Sequence, residues 1–243
     1  MEEKIERIKK WLGTGSINVF GMPFSGKDTV GVHLAEVLGG KFLSSGIIIR
    51  AAEDEDKEMK KEHDSGQLIN SDKFRALILP YFAKKELSSF PLVLSSVGRW
   101  SGEEFDVIEH TEKAGHPIKA VILLNLSEAE VRKRWHASKE SQDRGDRNDD
   151  RDESILDTRI NEFKEKTIPV IETYQKRGLI APVNANGTRE EVFANVIDIL
   201  SRFASANSEE REVPLLDENQ NVTNGIEEVD LHKTADESPN DSD

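Results

Sequence analysis

Apolar residues recur along this chain in two rhythms. Five short runs have the length of strands: Ile17-Asn18-Val19-Phe20, Lys41-Phe42-Leu43-Ser44-Ser45, Pro91-Leu92-Val93-Leu94-Ser95, Ile118 through Leu126, and Leu179-Ile180-Ala181-Pro182-Val183. The run from Ile118 is apolar on both faces, as a buried parallel strand requires. Between the runs, apolar positions return every three or four residues. Ile5, Ile8, Trp11 and Leu12 share one face of a helix that ends at Gly13-Thr14-Gly15. Val30 to Leu38 continues a second helix, stopped by Gly39-Gly40, and Gly46 begins a third. The densely charged segment Glu53–His63 reads as a solvated helix. Ser71 is placed to cap a helix through Phe82, with Phe74, Leu77, Ile78 and Phe82 inward. Ser101 is placed to cap another that reaches Ala114, with Glu104 as its capping-box partner, and Ser127-Glu128-Ala129-Glu130 repeats that signal. A long helix is expected over residues 152–177, interrupted near Pro169, and a last one over Arg189–Phe203.

Strands that alternate with helices predict a parallel sheet flanked by helices. Ligands of such sheets sit beyond the carboxyl ends of the strands. That edge collects Gly21–Thr29, Ser45–Arg50, Ser95–Arg99 and the segment after Leu126. Two stretches stand outside the pattern. Ser138–Asp150 is nearly devoid of apolar residues and reads as a charged excursion. Residues 207–243 are acidic, poor in large apolar side chains and expected to be disordered.

Charge sharpens that division. Of a net −14 over 243 residues, the segment after residue 206 carries −10 and residues 1–206 only −4. One domain over 1–206 with an acidic tail is the expected organisation, and the partner of the tail is unspecified. No basic field suited to nucleic acid is present. The chain has no cysteine, hence no disulfide framework. Its first 16 residues are amphipathic and charged with no apolar core after them, and no run is long enough to span a bilayer. A cytoplasmic protein is the resulting expectation, with no membrane partner.

The candidate chemistry begins at the end of the first strand. Gly21-Met22-Pro23-Phe24-Ser25-Gly26-Lys27 has the G-x-x-x-x-G-K spacing of a loop that cradles phosphate. Inward backbone N–H groups, a helix N-terminus and the lysine charge act there on one anion. The pattern wants Ser or Thr directly after the lysine; here Asp28 intervenes and Thr29 follows.

Taken in order, four segments resemble the adenylate kinase family of nucleoside monophosphate kinases, over residues 17–200. Gly21–Thr29 is similar to the family loop G-x-P-G-x-G-K-G-T, including Pro23 and the late Thr29. Ser44-Ser45-Gly46-Ile47-Ile48-Ile49-Arg50 is similar to S-T-G-D followed by two apolar residues and Arg. Arg147-Asn148-Asp149-Asp150 with Glu153 and Arg159 resembles R-x-D-D-x-x-E…R. Ile168-Pro169, Tyr174, Gly178-Leu179, Asn186-Gly187 and Glu191-Val192-Phe193 follow the family's last third.

The resemblance implies a P-loop NTPase-type three-layer α/β/α sandwich with a five-stranded parallel sheet. It also implies a helical insertion over residues 54–70 that covers a nucleoside monophosphate, a short lid over residues 138–150, and a monomer. The implied reaction is phosphoryl transfer from ATP to a monophosphate, with Mg²⁺. By the same resemblance, Gly21, Pro23, Phe24, Ser25, Gly26, Lys27, Asp28 and Thr29 hold the donor, with Thr29 toward the metal; Asp28, where the family loop has glycine, is a carboxylate placed to organise Mg²⁺ from the loop in place of the acid absent at Ser95. Arg50 and Arg99 clamp the acceptor phosphate, each with a bidentate fork. Arg134, Arg147 and Arg159 converge on the transferring group, and Arg134 also covers the donor. Ser45, Gly46, Leu68, Ile69, Gly98 and Glu103 fall at the acceptor.

Departures from the family are equally specific. Its D-G-F-P-R strand end appears as Ser95-Ser96-Val97-Gly98-Arg99, without the acid. Phe24 replaces a glycine, Ile47 an aspartate, and Glu103 a glutamine that reads adenine. A carboxylate accepts but cannot donate, which leaves the acceptor base open. Three readings therefore stand: an active monophosphate kinase, a weak nucleotide-binding relative acting through protein contacts, and a kinase of another small acceptor.

Overall fold

The computed structural model describes residues 1–52, 56–141 and 151–209. Five strands, β1 (Ser16–Gly21), β2 (Lys41–Ser44), β3 (Leu92–Ser95), β4 (Ile118–Asn125) and β5 (Ile180–Asn184), form one sheet in the order β2-β3-β1-β4-β5. Every pairing is parallel, with Val19 opposite Ser95 and Gly21 opposite Leu124. The chain leaves β1 for one side of the sheet and later crosses to the other, so the crevice opens at the end of β1.

Helices cover both faces, which gives the three layers expected. One layer contains α1 (Glu2–Leu12), α2 (Lys27–Leu38) and α10 (Arg189–Glu209). Its core takes in Ile8, Ile17, Val19, Leu34, Ile122 and Val196. α1 packs on α10 through a Lys4–Asp198 ion pair of 2.7 Å and the edge-on rings of Trp11 and Phe203. On the opposite face, Phe20, Val121 and Leu123 meet Val170, Ile171 and Tyr174. The last three belong to α9 (Ile168–Lys176). A further cluster, including Ile48, Phe74, Ile78, Leu92 and Leu94, lies under α3 (Ser45–Ala52) and α5 (Ser71–Leu77). Inside the sheet, the buried Asn18 amide donates to the Val97 carbonyl at 2.8 Å and accepts from the Val97 N–H at 3.3 Å. That pair ties the segment after β3 to β1.

Several helix limits differ from expectation. The helix from Ser71 ends at Leu77, and Leu79–Ala83 is a tighter 3₁₀ turn, because Pro80 has no N–H to continue the ladder. Its cap is Asn70, whose side chain accepts from the Lys73 N–H at 3.0 Å. α6 (Glu103–Lys113) starts after Gly102, not Ser101, and Glu104 reaches back to the Gly102 N–H at 2.7 Å. The charged helix is α4 (Lys57–Asp64), capped by Asp56. α7 (Glu128–Ser141) is capped by Ser127 as read, at 3.3 Å from the Glu130 N–H, and extends through Ser138–Ser141, which the sequence assigned to the lid. The long helix divides into α8 (Glu153–Glu162), a wide π turn Phe163–Thr167, and α9, with Pro169 in its first turn. Residues 142–150, with Arg147 and Asp149, and residues 210–243 lie outside the described residues.

Candidate active site

The loop after β1 is shaped by its backbone. Gly26 sits at φ +87° as the residue that opens α2, a conformation glycine adopts without steric cost. A β-carbon on Gly21 would lie 2.5 Å from the Ser25 hydroxyl, so the first glycine is required by close approach. That Ser25 hydroxyl is buried and has no hydrogen-bond partner among the described residues. Lys27 folds back over its loop and donates to the Met22 carbonyl at 3.1 Å. An inward orphan hydroxyl, a lysine and a helix N-terminus at one point form an anion cradle.

Beyond the ends of β1, β2 and β3 lies a tight cavity of about 70 Å³. Lys27, Arg50, Arg99 and Arg159 all line it, together with Asp28 and Ser45. These four cations come from α2, α3, the loop after β3, and α8. Arg50 lies across Gly46, where a β-carbon would stand 3.2 Å from its Nη1. Burial, and after it the neighbouring charge of Arg159, pull the Arg99 guanidinium down to about 10, against the opposing pull of Glu103, Glu162 and Asp28. Two half-buried guanidiniums held near one another make a site suited to an anion.

Three residues expected at the acceptor base do other work in this conformation. Glu103 is 2% exposed. One of its oxygens accepts from the Arg99 and Trp100 N–H groups at 2.8 and 3.1 Å, and the other from the Ser71 hydroxyl at 2.8 Å. It thus builds the turn that presents Arg99, and burial pushes its carboxyl up. The Ser45 hydroxyl donates to the Ser96 carbonyl at 2.8 Å. The Leu68 N–H donates to Glu162 at 3.0 Å, which also takes the Lys166 ammonium at 2.6 Å. Ser45, Leu68, Ile69, Gly98, Arg99 and Glu103 nonetheless share one small pocket beside the larger cavity.

On the other side of the loop a second cavity, of about 940 Å³, is lined by Phe24, Gly26, Thr29, His33, Arg134 and Phe193, among others. The rings of His33 and Phe193 stack 3.9 Å apart at 12°. Arg134 lines this cavity with its Nη2 held by the Ala185 carbonyl at 2.7 Å and its Nε by Glu130 at 3.3 Å. Lys27 and Asp28 line both cavities. Asp28 accepts a 2.5 Å hydrogen bond from the Ser95 hydroxyl at the end of β3, so the loop carboxylate rests against the strand end where the sequence lacks one. Among the described residues, no group of three or more His, Asp or Glu side chains could hold a metal by itself.

Sequence reasoning missed Glu162, His63, Gln67, His33 and Phe193 as lining residues. His33 follows Lys27 on the same helix and could have been found by extending the loop motif. Phe193 belongs to the Glu191-Val192-Phe193 segment of the resemblance, but its place in the cavity follows only from the docking of α10.

Known proteins resemble this chain over most of its length. The AAA domain family matches residues 20–155. An adenylate kinase of Parasynechococcus marenigrum is 30% identical over 188 residues, covering 74% of this chain and 96% of that protein. Adenylate kinase 1 of Schistosoma mansoni is 30% identical over 191 residues, covering 77% and 93%. Among solved structures, a gluconokinase from Sinorhizobium meliloti 1021 superimposes with a TM-score of 0.57 at 21% identity, over 81% of this chain and 97% of its own, a likeness of fold.

Proposed function

The chain belongs to the adenylate kinase family of P-loop kinases, and from that premise we propose that it transfers a phosphoryl group from ATP to a nucleoside monophosphate. The observation that carries this reading is the convergence of Lys27, Arg50, Arg99 and Arg159 on one cavity beside the phosphate loop. Phosphoryl transfer asks a protein for positioning and for positive charge around the moving group. Lys27 faces both cavities and so holds the donor phosphates at the point of transfer. Arg50 and Arg99 form a two-guanidinium clamp, which a phosphorylated acceptor needs and a plain hydroxyl acceptor does not. Arg159 supplies charge from the third side. Arg134 stands on the donor side, and Arg147, by the resemblance of its segment, is assigned to the transferring group.

The donor set suits Mg²⁺, a hard cation that takes oxygen ligands and keeps several waters. Asp28 and Thr29 offer a carboxylate and a hydroxyl at the mouth of the loop. Mg²⁺ held there would supply charge neutralisation on the donor phosphates. Asp28, held by Ser95, would keep its carboxylate turned to that point. Calorimetry checks this directly: Asp28→Asn should abolish the Mg²⁺-dependent gain in ATP affinity, and an unchanged gain removes Asp28 from the metal.

The kinase reading is tested by ADP release with each nucleoside monophosphate in turn. Turnover of at least one acceptor, lost in Lys27→Ala, is the expected result. No acceptor turned over faster than in Lys27→Ala would overturn it.

A further inference from the structure

Phe24 is the least expected residue of the phosphate loop. Its φ is +61°, a conformation that a bulky side chain adopts only under strain. Its ring is nearly buried in the core cluster that also includes Leu156 and Ile160, which flank Arg159 on α8. The Arg159 guanidinium carbon lies 5.8 Å from the centroid of that ring, within cation–π range. The stem of the same arginine meets Gly66, where a β-carbon would stand 2.9 Å from its Cγ. Phe24 lines the donor cavity and Arg159 the acceptor cavity, so the pair spans the wall between them.

We propose that Phe24 is a positioning residue whose ring holds the Arg159 guanidinium at the border between donor and acceptor. Arg99 repels Arg159 across the acceptor cavity, a push that contacts on the other sides of the arginine must oppose. The aromatic face on the donor side supplies one such opposing attraction, aimed at the guanidinium itself, while Gly66 leaves room for the stem. The strained backbone at residue 24 aims the ring, and the arginine stays where the transferring group must pass. Pre-placing it removes a rearrangement from the catalytic step.

This proposal rests on the kinase reading for its catalytic part, so its test has an arm that needs no substrate. The test compares Phe24→Leu, Phe24→Tyr, Arg159→Met and the double variant Phe24→Leu with Arg159→Met. In thermal unfolding of ligand-free protein, the destabilisation by Phe24→Leu should be smaller in the Arg159→Met background than in the parent. In turnover, Phe24→Leu should lower kcat about two- to five-fold. Both KM values should hold, Phe24→Tyr should restore most of the loss, and Phe24→Leu should change nothing further once Arg159 is Met. Strictly additive unfolding effects, or a Tyr variant no better than Leu, would overturn the proposal, as would thermal coupling without a kcat effect. If no monophosphate is turned over, the kinase reading alone falls, and thermal coupling still decides whether the ring holds Arg159.

Discussion

The two cavities that flank the phosphate loop are built on different physics. The acceptor side is tight and charged, with Arg50, Arg99 and Arg159 facing inward and the α4–α5 turn drawn onto α8 through Leu68 and Glu162. The donor side is roomy, with the stacked rings of His33 and Phe193 in its wall and few cations beyond Lys27, Arg134 and Arg189. Affinity on the acceptor side should therefore come from charge-assisted hydrogen bonds to phosphate, and on the donor side from loop amides and ring contact. Side-chain hydrogen bonds to phosphate on the acceptor side fail sharply when one partner is removed, whereas on the donor side the backbone amides resist substitution and the ring contact degrades gradually. On the proposed reading, specificity for a phosphorylated acceptor is thus the more fragile property.

The largest effect belongs to the residue both sides share. Lys27→Ala should reduce kcat by roughly 10²–10³-fold in the ADP-release assay, whichever acceptor is used. Next comes the acceptor clamp. Arg99→Met should raise the acceptor KM by roughly 10- to 100-fold with the ATP KM unchanged. Equal movement of both KM values would erase the distinction between the cavities.

Phe193→Ala probes the opposite side. It should raise the ATP KM by only about three-fold and leave the acceptor KM alone. A larger change would make the ring pair a determinant of affinity equal to the arginines. Gly66→Ala places a β-carbon 2.9 Å from the Ile155 carbonyl at φ +83°. It should lower Tm by about 2–4 °C for each kcal/mol of strain and raise the acceptor KM, because the α4–α5 turn can no longer approach α8. The gentlest test uses inorganic phosphate. At ten times its Kd it should stabilise the protein by about 1.4 kcal/mol, and Arg99→Met should remove that gain.

Elements were legible where a local rule governs them. The five strands announced themselves by apolar runs, and the glycine-flanked loop by its spacing, since both signals lie within a few residues. Pro80 ended a helix that periodicity alone carried to Phe82. A wide turn at Phe163–Thr167 divided another that read as continuous to Pro169. The candidate site was legible as a set of residue types, and the arginines so named, where the described residues reach them, line the two cavities. Their partners were not. Glu103 read as a base-contacting residue, yet its carboxylate organises the turn at Arg99, because which atoms it meets depends on how α6 packs against that turn.

Sequence alone therefore determined the class of this protein: a parallel α/β sheet, a phosphate loop at its carboxyl edge, and a supply of arginines in family order. Tertiary structure decided the rest. It brought the Asp28 carboxylate onto the Ser95 hydroxyl from 67 positions away, set Phe24 under Arg159, and stacked His33 on Phe193. The reason is one of range. Strand runs and loop spacings are consequences of backbone geometry over a few residues. Contacts between distant residues exist only once sheet order and helix packing have chosen which side chains share a wall.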